Sequence, residues 1–268
     1  MTNFSTLKKP IAVFDSGVGS YAAVAALQRA LPKQDILYFA DRASFPYGSK
    51  GRAELLSILN KTLQFLHGFD PSAIFVASNA PSITVLDELQ SIVPVFGVRP
   101  PVRDALKIAN AGNVAVLGVR SLVESPEMRA FVAREAGEST ARVHLINASP
   151  LVELVESGEF LSDGGNVQKK VDGFVSGMDA SYTGITAMTL SSTHLPWLRS
   201  FIEKAARGRP LLDPLDSVVA EILPFAVEGS GRVMALATES ERYPAEDFQR
   251  MLDRLGADIS VNRQPMLA

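Results

Sequence analysis

The sequence predicts an α/β protein made of two similar domains with parallel-rich sheets. Its short apolar runs are continuous Val, Ile and Phe stretches rather than alternations, the pattern of strands covered on both faces. These runs alternate with segments whose apolar residues recur every three or four positions, and such strand–helix alternation builds parallel sheets. The cycle also runs twice. Ile11–Gly17 and Val114–Ser121 are each a strand entering a polar turn, while Ala73–Ala80 and Ile185–His194 each end in a serine-bearing turn.

Taken in order, Ile11–Phe14 reads as a buried strand. Tyr21–Leu31 follows as a helix, with Val24, Leu27 and Leu31 on one face and Pro32 as its stop. Ile36–Ala40 is the second strand. Ala53–His67 is a helix with Leu55, Leu56, Leu59, Leu63 and Leu66 on one face, and Ala73–Ala77 is the third strand. Pro81–Leu89 is a helix with proline in its first turn, and Val93–Val98 is a strand. Arg99-Pro100-Pro101 interrupts both strand and helix, so a domain boundary is expected there. The second cycle has strands over Asn113–Val119, Arg142–Ile146 and Ile185–Leu190. Its helices span Pro126–Ala136, Pro150–Glu156, Asn166–Val175 and Pro196–Arg207. Arg209-Pro210 marks a second boundary. Beyond it come a helix (Ser217–Phe225), a strand (Val233–Ala237), a helix (Ala245–Leu255) and a strand (Asp258–Val261).

Composition narrows the function classes. A chain of 268 residues with 47% hydrophobic residues can bury a large core, and 19 Gly and 16 Pro fit neither collagen nor disorder. A net charge of −3 points to no nucleic-acid partner and no membrane surface. The apolar runs fall far short of the roughly 20 residues of a membrane span. Lys8 and Lys9 are followed by no apolar stretch that would make Met1–Pro10 a signal peptide, so a soluble cytoplasmic chain is expected. Cysteine is absent, which excludes disulfides, thiolate metal sites and any cysteine nucleophile. His67, His144 and His194 are scattered, so no metal is expected; His67 and His144 read as packing residues, as does the lone Trp197.

Several motifs admit more than one chemistry. Gly17-Val-Gly19-Ser-Tyr-Ala22 follows a strand, opens a helix and has Asp41 about 20 residues on, the form of a dinucleotide site. Asp15-Ser16 just before it places a carboxylate where a pyrophosphate would be repelled. That pair suits an ammonium group instead, or caps the Tyr21 helix. The loop Pro46-Tyr47-Gly48-Ser49 offers hydroxyls and amides to a carboxylate, or is turn chemistry alone. Ser78-Asn79-Ala80 and Ser191-Ser192-Thr193-His194 end two strands without the glycine flanks of a hydrolase elbow, and serines capping the next helices are the bland alternative.

Together these segments resemble the glutamate racemase family of the aspartate/glutamate racemase superfamily. The resemblance is carried by Val13-Phe14-Asp15-Ser16-Gly17-Val18-Gly19, Tyr38-Phe39-Ala40-Asp41 with Pro46-Tyr47-Gly48, Ala77-Ser78-Asn79, and Ser192-Thr193-His194-Leu195-Pro196. Pro150 to Gly158 and Leu212-Asp213 add weaker support. It implies two flavodoxin-like domains with a ligand cleft between them: residues 1–99 completed by 208–268, and residues 100–207. It also implies cofactor-free interconversion of L- and D-glutamate, which supplies D-glutamate for peptidoglycan, and pairing into a homodimer. In the family one cysteine thiolate removes the α-proton and a second thiol delivers one to the opposite face.

Here both of those positions are serine, Ser78 and Ser192, and a neighbouring family threonine is Ala80. The resemblance assigns Ser78, Ser192, Asp15 and His194 to the reaction. To a small acidic amino acid or other small carboxylate it assigns Asp15, Ser16, Pro46, Tyr47, Gly48, Ser49, Asn79, Ala80, Thr193 and Glu156. A thiol ionises near pH 8.5 and a hydroxyl far higher, so impaired or absent turnover is expected. An engineered replacement, a diverged binding protein and new chemistry built on Asp15, Glu156 or His194 all remain open at this stage.

Overall fold

Runs of Val, Ile and Phe with no polar face must be covered on both sides, and that is where the strands form. The computed structural model describes residues 7–267; residues 1–6, on which part of the Met1–Pro10 reading falls, and residue 268 lie outside them. The strands are β1 (Ile11–Asp15), β2 (Ile36–Ala40), β3 (Ala73–Val76), β4 (Val95–Gly97), β5 (Asn113–Gly118), β6 (Val143–Asn147), β7 (Ile185–Leu190), β8 (Leu211–Leu212), β9 (Val233–Ala237) and β10 (Val261–Arg263). Two units result: Met1–Gly97 with Leu215–Ala268, and Val98–Pro214.

The first unit holds a six-stranded sheet in the order β10-β9-β2-β1-β3-β4, with every pairing parallel. β1, β2 and β3 are wholly buried, so each Val, Leu, Ile and Phe side chain there contributes roughly 1.5–3 kcal/mol by leaving water. On one face the helix Arg52–His67 lays Leu55, Leu59, Leu63 and Leu66 against Ala12, Phe14, Leu37, Phe39 and Ile74. The second unit holds a four-stranded parallel sheet, β6-β5-β7-β8. Its core joins Leu117, Met188 and Leu190 to Val167, Val171 and Val175 of the helix Gly164–Ser181. Numbered within each unit, both sheets share the order second-first-third-fourth. In both, the chain leaves its first strand to one side and later returns on the other. Such a switch parts the connections above the strands' C-terminal ends, where open α/β sheets bind ligands.

Some elements differ from expectation. Val102–Ala109 is a helix that the Pro-Pro step concealed, because proline is tolerated just ahead of a first helical turn. The second unit continues past residue 207 because Leu211–Leu212 adds β8 to β7. The last strand begins at Val261 rather than Asp258: Gly256, at φ +74°, ends the helix Ala245–Arg254, and pairing with β9 starts at Val261. The expected helices Pro81–Leu89 and Pro196–Arg207 each divide into an α-helical piece and a 3-10 turn. Trp197 packs against the second unit's core, as expected of a packing residue. No helix among the described residues is long and apolar enough to cross a membrane.

Opposite the strand mouths, Asp35 staples the first unit. Its carboxylate accepts the amides of Lys8 (2.8 Å), Ser230 (2.8 Å) and Arg232 (3.1 Å) and the Ser230 hydroxyl (2.8 Å). Burial alone would raise its pKa, but these donors outweigh burial and hold the carboxyl at about 2. A depressed carboxyl pKa contributes stability that is complete above the unfolded value and is lost as pH falls through the folded one. Asp35→Ala should therefore lower the unfolding free energy by about 1–3 kcal/mol at neutral pH. In urea titrations the difference between Asp35→Asn and the parent should narrow from about pH 4 down to pH 2.

Candidate functional site

In each unit the last ladder hydrogen bonds decide what stands at the strand mouth. The Ala77 amide donates to the Phe14 carbonyl (2.9 Å), and the Ser191 amide donates to the Leu117 carbonyl (2.8 Å). One residue later the chain is released, at Ser78 in the first unit and at Ser192 in the second. On the other side of each first strand, the Asp41 amide donates to the Asp15 carbonyl (2.8 Å) and the Ala148 amide to the Gly118 carbonyl (2.7 Å). The two serines are thus structural counterparts, as are Asn79 and Thr193, Ala80 and His194, and Asp15 and Gly118. Gly118 packs closely, since a Cβ there would lie 2.9 Å from Val123 Cγ1 and 3.2 Å from the Ser191 carbonyl oxygen.

The first unit gathers Asp15, Ser16, Asp41, Tyr47, Ser78 and Asn79, all buried. Asp15 and Ser16 do not cap the Tyr21 helix as the bland alternative had it. The residue before that helix is Ser20, whose hydroxyl turns instead to the Gly17 carbonyl (2.8 Å) and the Tyr38 hydroxyl (2.9 Å). The Ser16 hydroxyl accepts the Tyr47 amide (3.3 Å), which joins the loop after β1 to the loop after β2. Ser78 precedes the helix Asn79–Thr84 with extended backbone, and its side chain does not cap that helix; Ser82 donates its hydroxyl to the Ser78 carbonyl (2.6 Å).

Asp41 lies beneath this loop. Its carboxylate accepts the Thr238 hydroxyl (2.8 Å) and the Tyr47 hydroxyl (3.1 Å), while Thr238 accepts the Ala43 amide (3.0 Å). Burial, followed by the nearby Asp41 and Asp15 charges, pushes the Tyr47 phenol well above its ordinary range, so it stays protonated and donates. Two expectations change here. The loop hydroxyls already donate within the protein, Tyr47 to Asp41 and Ser49 to the Pro46 carbonyl (2.9 Å). The dinucleotide reading loses its ribose-binding acid as well, because the Asp41 carboxylate is occupied by Thr238 and Tyr47.

The second unit offers a different set. Ser192, Thr193 and His194 are buried at the β7 mouth, and the Ser192 hydroxyl accepts the His194 amide (3.4 Å). His194 Nε2 lies 2.5 Å from Glu156 Oε1 at the end of the helix Ser149–Glu156. A carboxylate accepts, so the Nε2 that faces it is the donor of this contact. Ser191 is spoken for by a hydroxyl pair with Thr189 (2.7 Å). His67 meets the Ser91 hydroxyl (3.0 Å), His144 lies against the Tyr182 ring, and no cluster able to hold a metal is present among the described residues.

Sequence reasoning did not single out Arg42 or Thr238. The first is a cation in a loop, the second a threonine almost two hundred residues from the carboxylate it serves, and only the β2–β9 pairing brings it there. Tyr38 is likewise held far above the ordinary phenol range, first by burial. In a spectrophotometric alkaline titration of the five tyrosines, Tyr38 and Tyr47 should stay protonated through about pH 11 and ionise only on unfolding. Tyr47→Phe, which leaves the buried Asp41 short of a donor, should cost about 1–3 kcal/mol in urea denaturation.

No protein-family model matches the chain. Among curated proteins it is similar to a glutamate racemase of Thermus thermophilus, with 31% identity over 270 residues covering 97% of each chain. The solved structure of glutamate racemase isoform RacE1 from Bacillus anthracis superposes with a TM-score of 0.78 at 25% identity, covering 96% of this chain and 97% of that one. Glutamate racemase from Thermus thermophilus, crystallised with beta-chloro-D-alanine, gives 0.75 at 28% identity, covering 98% and 99%. Its parallel α/β architecture and its similarity over nearly the whole length agree: this chain belongs to the glutamate racemase family.

Proposed function

We propose that this chain binds a small acidic amino acid, or another small carboxylate, and interconverts glutamate enantiomers slowly or not at all. The observation that carries this reading is the equivalence of Ser78 and Ser192, each one residue beyond the last ladder bond of its unit. Both stand where the family resemblance places a thiol. In this reading they occupy the two proton-transfer positions, with Asp15 and His194 as the nearest charged assistants and Glu156 orienting His194. The family resemblance assigns Ser16, the Pro46-Tyr47-Gly48-Ser49 loop, Asn79, Ala80 and Thr193 to the ligand's amino and carboxylate groups. A Thermus relative crystallised with beta-chloro-D-alanine supports an amino-acid-sized ligand.

The chemistry supports weak turnover. Removing an α-proton needs a base whose pKa approaches the working pH, and each unit of mismatch costs roughly 1.4 kcal/mol. A hydroxyl lies many units above a thiol. Tyr47 offers no substitute, because burial and the neighbouring carboxylates keep its phenol neutral. His194 is a titratable neighbour two residues from Ser192, whereas Ala80 occupies the corresponding place after Ser78 and carries no titratable group. A transfer mechanism that needs two competent groups retains one at best. The reading includes a cytoplasmic homodimer with no nucleic-acid or membrane partner.

Circular dichroism of D- and L-glutamate solutions should show no appreciable interconversion by the unmodified chain. Ser78→Cys/Ser192→Cys should raise the rate by at least about 100-fold, the scale of one general acid–base contribution. Brisk racemisation by the unmodified protein would overturn the impaired-turnover reading. Glutamate, aspartate or a related dicarboxylate should raise the melting temperature, and no shift with any of them would count against the ligand class.

A further inference from the structure

Arg42 is a full positive charge buried in the first unit, 3% exposed, and no step of the proposed chemistry uses it. Its Nη1 donates to the Ser16 carbonyl (2.7 Å). The guanidinium carbon lies 4.6 Å from the Phe45 ring centroid and 5.4 Å from those of Tyr243 and Phe248. Phe45 stacks edge-on against Tyr243 with centroids 4.9 Å apart. These rings come from separate places, Phe45 from the loop after β2 and the other two from the chain after β9. A guanidinium is suited to this cage because it is planar, weakly hydrated and always charged, and it can stack on rings while its edge still donates.

The connections run to the strand mouth. Ser16 is held at its carbonyl by Arg42, and its hydroxyl accepts the Tyr47 amide. Tyr47 is two residues from Phe45, which forms the near wall of the cage. Arg42 therefore pins both partners of the Ser16–Tyr47 contact, one by hydrogen bond and the other through the Phe45 ring. We infer that Arg42 is a positioning residue of this site: its caged guanidinium sets the Ser16 main chain and the Phe45–Tyr47 loop in the register that presents Ser16 and the loop amides to an acidic ligand. The ligand half of this inference rests on the reading proposed above; the positioning half does not.

The test compares Arg42→Met, Arg42→Lys and Tyr243→Leu with the parent. Tyr243→Leu keeps the charge and removes one wall, so the question survives if Arg42→Met fails to fold. Amide hydrogen exchange reads the positioning without any ligand. The Tyr47 amide should exchange about tenfold faster in Arg42→Met, the weight of one lost hydrogen bond, while amides of β5 and β7 keep the parent's rate. Unchanged Tyr47 exchange in folded Arg42→Met and Tyr243→Leu would overturn the inference. Glutamate titration followed by melting shift then reads the consequence: binding weakened about tenfold in Arg42→Met and recovered to within about threefold in Arg42→Lys, since lysine restores a donor and a charge but not the planar fork. Equal loss in both variants, tracking their melting temperatures, would reduce Arg42 to a packing residue and also overturn it. If Tyr47 exchange responds as expected but the parent binds no acidic amino acid, the ligand reading fails and the positioning role stands.

Discussion

In both units the third strand pairs directly with the first, and the ladder between them stops at the same place. That stopping point is a physical limit, because a parallel ladder ends where one strand's amides no longer meet the other's carbonyls. Ala77 donates to Phe14 and Ser191 donates to Leu117, and the next residue in each case is a serine turned loose at the mouth. Everything chemically interesting follows from where these ladders end. A shift of one residue would move Ser78 and Ser192 to the other face of their strands and exchange them for Ala77 and Ser191.

Similar scaffolds carry different electrostatics. The first unit buries two carboxylates, Asp15 and Asp41, and the Arg42 guanidinium as well. Asp41 spends both oxygens on hydroxyls from Tyr47 and Thr238, which makes it an anchor for the loop above it rather than a group for a ligand. The second unit instead carries the Glu156–His194 pair, in which the imidazole donates to the carboxylate. The two sheets thus share a strand order while the polar groups at their mouths differ.

Stability and site geometry are separated along the strands. Asp35 draws its four donors at the N-terminal end of the first sheet, where Lys8, Ser230 and Arg232 converge. The strand mouths at the other end are where the loops carry their polar groups. Because a parallel sheet puts all its N-termini on one side and all its C-termini on the other, changes that stabilise the first end need not disturb the second.

Much was legible in the chain itself. Continuous apolar runs marked strands because burial on both faces leaves no polar alternation, and the paired serine turns marked equivalent strand ends. The missing cysteines are a fact of composition that no folding can alter. Three features lay beyond local reading. The Tyr47 hydroxyl could be assigned to a ligand until folding gave it to Asp41, and Asp41 could pass for a ribose-binding acid until Thr238 and Tyr47 took up its oxygens. Thr238 and the Arg42 cage depend on β9 pairing with β2, a contact between segments almost two hundred residues apart. Local propensity acts over a few neighbours, whereas hydrogen-bond partners for buried groups are chosen by whichever strand the sheet places alongside, and only the tertiary structure makes that choice.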